Sequence, residues 1–280
     1  MLYLLLAIAS SALVSICMRV SEKYVRSNMV MFTANYAVCA AISRLYFGHA
    51  SLFPAQSGLT WAITLGAVSG FLYLASFVLL QTNVRHNGVI LSSAAMKLGG
   101  VLIPVLLAVV LFRERMGSIQ LVGVTAAIGA VVLMNFEKSG GRKGDRRYLL
   151  LVLLISSGVT DAMVNIYDKT GAAALKNHYL FFTFLAALLF ALAMALAKKQ
   201  KPGLADILCG LMIGVPNYFS SRFLLLSLGS VPAVVAYPVF SAGTIVAVTL
   251  VGALAFQEKL NRPKRWAMAL ILAALVLLNI

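Results

Sequence analysis

The chain has 280 residues, of which 61% are hydrophobic and 11% are charged. Soluble domains contain about 45–50% apolar and about 25% charged residues, so this composition excludes a water-soluble globule. The net charge of +15 lies almost entirely in short connectors between apolar runs. Such a distribution indicates contact with anionic lipid headgroups rather than with nucleic acid.

Apolar runs follow one another along the whole chain, separated by charges, glycines and prolines. A helix needs about 20 apolar residues to cross the hydrocarbon core of a bilayer, and the runs are close to that length. They cover residues 2–21, 28–47, 59–81, 88–112, 117–136, 148–170, 179–197, 204–228, 230–256 and 263–280. The sequence therefore predicts an all-α, multi-pass protein of the plasma (cytoplasmic) membrane with ten transmembrane helices.

The two halves of the chain repeat each other at a shift of 144 positions. The matched residues are Gly66 with Gly210, Gly70 with Gly214, and Glu114 with Glu258. Each half holds five predicted spans, an odd number, so the second half enters the membrane with the opposite orientation. We therefore expect two inverted five-helix repeats, residues 1–136 and 148–280, joined by the basic loop 137–147.

Two segments, Ser92–Asn135 and Val231–Asn279, share one pattern. Each has a long apolar helix ending in Phe-x-Glu and a basic residue, then a short turn and a helix rich in small residues. This pattern resembles the EamA-type domain of the drug/metabolite transporter superfamily. The resemblance implies ten helices in two inverted repeats, transport of small metabolites or drugs, and a cavity lined by helices 1, 3, 4, 6, 8 and 9. The glycine that usually precedes the turn glutamate is Arg113 in one half and Gln257 in the other.

Polar residues recur at helical spacing inside the apolar runs. Asp161 lies thirteen residues into its run, hence about 20 Å deep, which is too deep for its side chain to reach the interface. Ser157 and Asn165 stand four residues to either side and form one stripe with it. The other candidate positions are Ser15 and Arg19 on the first run, Tyr73 on the third, Ser93 and Lys97 on the fourth, Asn217, Tyr218 and Arg222 on the eighth, and Tyr237 and Ser241 on the ninth. We expect these residues to line a central polar cavity, although serines at this spacing also tie helices together or satisfy their own backbone.

Depth along the runs suggests partners for the charged residues. Asp161 and Arg222 match in depth, so we predict an ion pair between them that acts either as a gate or as a static brace. Arg19 can reach Glu22 one turn away. Lys97 is then left about 14 Å deep without an acid at its level. We predict that Lys97 receives an anionic substrate group such as a carboxylate, with a backbone carbonyl or a water as the alternative partner. A cationic substrate would instead use Asp161.

The sequence lacks the motifs of several other function classes. It has no GxxxxGK[ST] loop for ATP and no HExxH or Cys/His spacing for a metal, and no histidine accompanies the serines and aspartate within the runs. We therefore expect no enzymatic activity, no cofactor and no metal. The predicted function is a secondary transporter, an exporter of small molecules by alternating access, with proton or solute counter-transport as an open possibility. A lipid-linked-sugar flippase and an intramembrane lipid-modifying enzyme are the alternatives.

The distribution of basic residues bears on orientation. Loops after odd-numbered runs hold 15 of the 23 lysines and arginines. The positive-inside rule places those loops in the cytoplasm and both termini outside, whereas the family resemblance implies cytoplasmic termini. We follow the charge distribution.

Overall fold

A computed structural model of the chain describes residues 1–21, 23–47, 51–87, 89–113, 117–135 and 148–255, and the isolated residues 266, 269, 273 and 277. The regular structure within these ranges is helical, without a strand. The helices are α1 Leu2–Ser21, α2 Asn28–Leu45, α3 Leu59–Asn87, α4 Val89–Val110, α5 Ser118–Asn135, α6 Tyr148–Thr170, α7 Lys176–Ala197, α8 Leu204–Leu228 and α9 Ala233–Ala255, with a 3-10 turn at Ala173–Leu175. The predicted tenth run, 263–280, lies outside the described residues apart from those four positions.

Three helical segments of the described chain are long and apolar enough to span a membrane. They are Leu59–Leu80, Tyr148–Thr170 and Ala173–Ala197. Shorter apolar helices occupy Leu2–Met18, Leu98–Val110 and Ala233–Val248. The described residues therefore form an all-helical membrane protein with several apolar helices, and the number ten stays a prediction.

Helix boundaries agree with the apolar runs at α1, α6 and α8 and differ elsewhere for local reasons. Helix α3 continues to Asn87, beyond the predicted end at residue 81, because hydropathy marks the span while the helix goes on through polar residues. In this extension the Asn83 side chain donates from Nδ2 to the carbonyl oxygen of Leu149, 2.9 Å away. Helix α9 begins at Ala233 rather than at residue 230. Pro232 precedes it, and its carbonyl oxygen accepts the first helical hydrogen bond from Ala236 at 2.9 Å.

The described residues form two compact units, each drawing helices from both halves of the chain. The Asp161 unit comprises Met1 and the described parts of Ala75–Asn165 and Leu228–Ile280, and the Arg222 unit comprises those of Leu2–Leu74 and Ile166–Ser227. The predicted linker 137–147 lies outside the described residues, so the division into repeats stays a prediction.

Close glycine contacts hold the Arg222 unit together at the crossing of α3 on α7. A Cβ atom added at Gly66 would lie 3.0 Å from the Cβ of Phe182. One added at Gly70 would lie 2.8 Å from both the Cβ of Ala186 and the backbone nitrogen of Ala187. These separations are shorter than ordinary packing distances, so the two helices approach as closely as they do only because both positions are glycine.

At the crossing of α8 on α2, two glycines meet backbone and Cβ atoms of the same kinds as at the crossing of α3 on α7. A Cβ atom at Gly210 would lie 2.6 Å from the Cβ of Ala34 and would also meet the carbonyl oxygen of Met31. One at Gly214 would lie 2.6 Å from the Cβ of Val38 and 2.8 Å from the carbonyl oxygen of Asn35. Each of these α2 atoms has a counterpart of the same kind 148 positions later on α7, where it meets Gly66 or Gly70. The counterparts are Tyr179 O, Phe182 Cβ, Thr183 O and Ala186 Cβ.

In the Asp161 unit, α4 packs on α5 and α9, and α5 also packs on α9. Helix α6 crosses α4 through another pair of glycines. Gly99 of α4 lies against the backbone of Leu154, and Gly158 of α6 lies against the backbone of Gly99 and the side chain of Ile103. The second half of α3 contacts α6 through hydroxyl groups, with Ser76 Oγ 2.9 Å from Ser156 Oγ. These contacts bring the polar stripe of α6 against the backbone of α4.

Candidate functional site

The stripe predicted on α6 forms a polar cluster within the Asp161 unit. Ser157 Oγ donates to the carbonyl oxygen of Met96 on α4 at 3.1 Å. One turn on, the Asp161 carboxylate lies directly against the α4 backbone, because a Cβ added at Gly100 would meet its Oδ2 atom. From α9, the Tyr237 hydroxyl donates to the backbone carbonyl of Asp161 at 2.7 Å. Three helices thus converge on Asp161.

Asn165 is the most unusual member of this cluster. Its side chain is fully buried, with 0% exposure. Neither its Oδ1 nor its Nδ2 has a hydrogen-bond partner among the residues that the structure describes. Burying a polar group without a partner costs about 1–3 kcal/mol, so such groups are rare unless a ligand or a water satisfies them.

The structure describes the side chains of only some of the other residues predicted to line the site in the Asp161 unit. Ser241 is buried on α9. Ser93 and Lys97 lie on α4, but their side chains are outside the described residues. The substrate-facing role of Lys97 therefore stays a prediction.

Arg222 is the centre of a second polar cluster, in the Arg222 unit. Its guanidinium carbon lies 3.8 Å from the centroid of the Tyr46 ring, a cation–π contact. Its Nη1 donates to Asn177 Oδ1 at 2.7 Å and to the Tyr218 hydroxyl at 3.1 Å. The Asn177 amide in turn donates to the carbonyl oxygen of Tyr46 at 3.2 Å. The predicted pairing of Arg222 with Asp161, a residue of the other unit, stays a prediction.

Helix ends determine the position of this cluster. Tyr46 is the C-cap residue of α2, and Asn177 is the second residue of α7. Arg222 lies six residues before the end of α8. Its long side chain therefore extends toward the membrane edge of the unit, as arginines near helix ends commonly do.

The remaining predicted residues of the Arg222 unit make hydrogen bonds within it. The Tyr73 hydroxyl lies 3.3 Å from Ser221 Oγ, and Asn217 Nδ2 donates to Asn35 Oδ1 at 3.1 Å. Ser15 Oγ donates to the carbonyl oxygen of Ser11 at 3.2 Å, which is the backbone-satisfying role of a helical serine. Arg19 lies on α1, and its side chain is outside the described residues.

Sequence reasoning missed several members of these clusters. Tyr46 stands near the end of an apolar run and Asn177 in a connector, and no pattern in the sequence links either residue to Arg222. Asn35 follows helical spacing with Cys39, whose thiol donates to the carbonyl oxygen of Gly214 at 3.2 Å. Tyr36 is fully buried, and its hydroxyl has no hydrogen-bond partner among the described residues. The signal that could have found Asn35 and Tyr36 is a pair of adjacent polar residues within an apolar run.

These features define an all-helical membrane protein in which polar side chains lie among apolar helices. The membrane protein YvaE of Bacillus subtilis (strain 168), whose function is uncharacterized, is 36% identical over 94 residues, which make up 34% of this chain and 79% of YvaE. The Small Multidrug Resistance protein family matches residues 177–271. The chain therefore belongs with YvaE to one family of membrane proteins, and the similarity of residues 177–271 to the Small Multidrug Resistance family points to a transporter rather than an enzyme.

Two further similarities, one in sequence and one in fold, extend over nearly the whole chain. An uncharacterized protein of Haemophilus influenzae (strain Rd) is 24% identical over 276 residues, which make up 92% of this chain and 91% of that protein. One solved crystal structure matches 99% of this chain and 94% of its own with a TM-score of 0.79 and 14% identity. That similarity shows a shared fold.

Proposed function

We propose that the protein is a secondary transporter that exports small metabolites or drugs by alternating access. It would work in the cytoplasmic membrane, with the loops after odd-numbered helices inside. Its ten helices would form two inverted five-helix repeats, and its substrate would bind among the polar residues around Asp161. An apolar helix bundle with a polar interior site is the usual construction of such transporters.

Two observations support the repeat. The crossings of α3 on α7 and of α8 on α2 place glycines against equivalent backbone atoms, as two copies of one helical arrangement would. The match to YvaE uses 94 residues that make up 79% of that protein. YvaE is therefore less than half as long as this chain, the size expected if one copy of the repeat existed alone.

The observation that carries the proposed site is the buried amide of Asn165, which has no hydrogen-bond partner in the described part of the chain. A transporter needs binding groups that are unsatisfied until the substrate arrives, because interactions already satisfied within the protein add little affinity. Asn165 offers both a donor and an acceptor, one turn from the Asp161 carboxylate. The proposed site therefore combines a carboxylate with an amide, and these two groups bind the amine, hydroxyl or carbonyl groups of small molecules.

Replacement of Asn165 by leucine tests this role. Leucine has the same number and branching of side-chain heavy atoms but bulkier methyl groups. Overpacking therefore offsets part of the about 1–3 kcal/mol that removal of the amide returns, and we expect little change in stability together with a loss of transport. The matched control is Thr125→Val in the same unit, where the exposed hydroxyl bonds to its own helix at Leu121 O, 3.0 Å away. That variant keeps transport.

The assay begins with a thermal-shift screen of metabolites and drugs on the protein in detergent, since a ligand stabilises by RT ln(1+[L]/Kd). The most stabilising solute is then followed in counterflow into proteoliposomes. Recovery of that solute chemically unchanged inside the vesicles distinguishes transport from catalysis. Full transport by the Asn165→Leu variant, or no flux of any stabilising solute, would contradict the proposal.

A further inference from the structure

The guanidinium of Arg222 is only partly used by the protein. The two hydrogen bonds that the group makes to described residues leave from Nη1, toward Asn177 and Tyr218. The Tyr46 ring covers one face at 3.8 Å. The edge formed by Nε and Nη2 is therefore held in a fixed orientation while its N–H groups make no hydrogen bond to the described residues.

The Arg222 unit also lacks a described carboxylate that is available to this charge. Its described acidic residues are Asp168 and Asp206. Asp168 pairs with Lys176 at 2.6 Å. Asp206 is buried and accepts hydrogen bonds from the backbone nitrogens of Arg26 at 2.7 Å and Ser27 at 3.2 Å. Within the described part of this unit, the charge of Arg222 is therefore balanced by no acid.

The position of the cluster makes it accessible from the membrane edge. Tyr46 is 42% exposed, and Arg222 itself is half-buried. The Nε–Nη2 edge of an arginine is planar and presents two parallel donors, a geometry that matches the two oxygens of a carboxylate. A lysine at the same position would offer a charge without this geometry.

We propose that the Nε–Nη2 edge of Arg222 binds the carboxylate of an organic acid as an access subsite of the Arg222 unit. The inference rests on the proposed transport function and names carboxylic acids as a substrate class. Tyr46 holds the guanidinium from one face, and Asn177 and Tyr218 fix its rotation. The apolar part of the acid packs against the Tyr46 and Phe219 rings, which are partly exposed and whose centroids lie 6.3 Å apart.

Benzoate binding to the purified protein in a neutral detergent tests the subsite, with benzamide as the uncharged analogue. We expect saturable binding of benzoate and none of benzamide. Arg222→Lys keeps the charge but removes the planar edge, so the Kd for benzoate should rise about tenfold or more. The matched control is Arg44→Lys. Arg44 is an exposed arginine in the last turn of α2, the helix that Tyr46 caps, and its guanidinium carbon lies 5.4 Å from the centroid of the Phe47 ring. This variant should leave the Kd unchanged.

A second measurement uses the unaltered protein. Phenylglyoxal reacts with accessible guanidinium groups, and mass spectrometry reports the extent at each arginine. Benzoate should protect Arg222 and leave Arg44 reactive. Equal benzoate affinity in Arg222→Lys, or no protection of Arg222, would overturn the proposal.

Lipid headgroups present a related anionic chemistry, so the binding is repeated in nanodiscs. In phosphatidylcholine nanodiscs benzoate should bind as in detergent. Protection of Arg222 by phosphatidylglycerol alone, with no effect of benzoate, would assign the site to lipid and overturn the carboxylate proposal. Counterflow distinguishes the two proposals: flux of other solutes without benzoate binding refutes only the subsite. Benzoate binding without flux of any solute refutes only the transport function.

Discussion

Substitution of Gly70 by alanine tests the close crossing of α3 on α7. The added methyl would lie 2.8 Å from the Ala186 Cβ and from the Ala187 nitrogen, and it would also meet the carbonyl oxygen of Thr183. Ordinary contacts between such atoms are about 3.5 Å or longer, so the helices must separate by at least about 0.7 Å, and by more at the Thr183 carbonyl oxygen, which is nearer still. Overpacking of this kind costs about 1–3 kcal/mol, and the better helix propensity of alanine returns up to about 1 kcal/mol. We expect a net loss of about 1–2 kcal/mol.

Gly66→Ala is the matched control on the same helix face. Its methyl would lie 3.0 Å from the Phe182 Cβ and from the Tyr179 carbonyl oxygen, so smaller shifts relieve the contact. The propensity gain then offsets most of the cost, and we expect a change within about 0.5 kcal/mol.

Unfolding in mixed micelles of a mild detergent and increasing dodecyl sulfate measures both variants. Trp61 provides the signal, because it lies on α3 and its indole nitrogen donates to Thr170 Oγ1 at 2.9 Å in the folded unit. Equal stability of the two variants, or a Gly70→Ala protein as stable as the parent, would refute the packing argument. Gly214→Ala repeats the test at the other crossing, where the methyl would lie 2.6 Å from the Val38 Cβ.

Three further outcomes are expected, all measured by the same unfolding assay. Lys199 has a left-handed backbone with φ of 49°, so Lys199→Gly should stabilise by about 0.5–1 kcal/mol, whereas glycine at the neighbouring Lys198, with φ of −83°, should not. Asp206→Ala removes the acceptor that joins the start of α2 to α8 and should cost about 2–3 kcal/mol; a loss under about 0.5 kcal/mol would show that water replaces it. The Asp168–Lys176 pair, with side chains 8% and 20% exposed, should give a coupling of about 1 kcal/mol in a double-mutant cycle, and additive single mutants would deny the interaction.

The sequence predicted most of the described helices because hydrophobicity sets their spans. Where it failed, the cause was local. Residues 82–87 belong to α3 although all but Val84 are polar, since a helix need not end where the hydrocarbon core ends. The start of α9 was placed three residues early because Pro232 ends the connector and provides the first acceptor.

The candidate site was predictable only along single helices. Helical spacing placed Ser157, Asp161 and Asn165 on one face, and the structure brings the first two against α4. Helical spacing did not predict that Tyr46 and Asn177 would surround Arg222. Those residues come from α2, α7 and α8, and no periodicity within one helix encodes how three helix ends meet.

The glycine crossings also restrict how the Arg222 unit can deform. Interfaces made of long side chains slide by changes of rotamer, but Gly70 and Gly214 place backbone against backbone, beneath the carbonyl oxygens of Thr183 and Asn35. Such contacts have no rotamers to change. Residues 59–74 of α3 therefore form one stiff element with α7, as α2 does with the part of α8 in this unit, and the packing of α2 on α7 couples both. Any hinge that serves a transport cycle must lie outside this framework, in the connections that leave it.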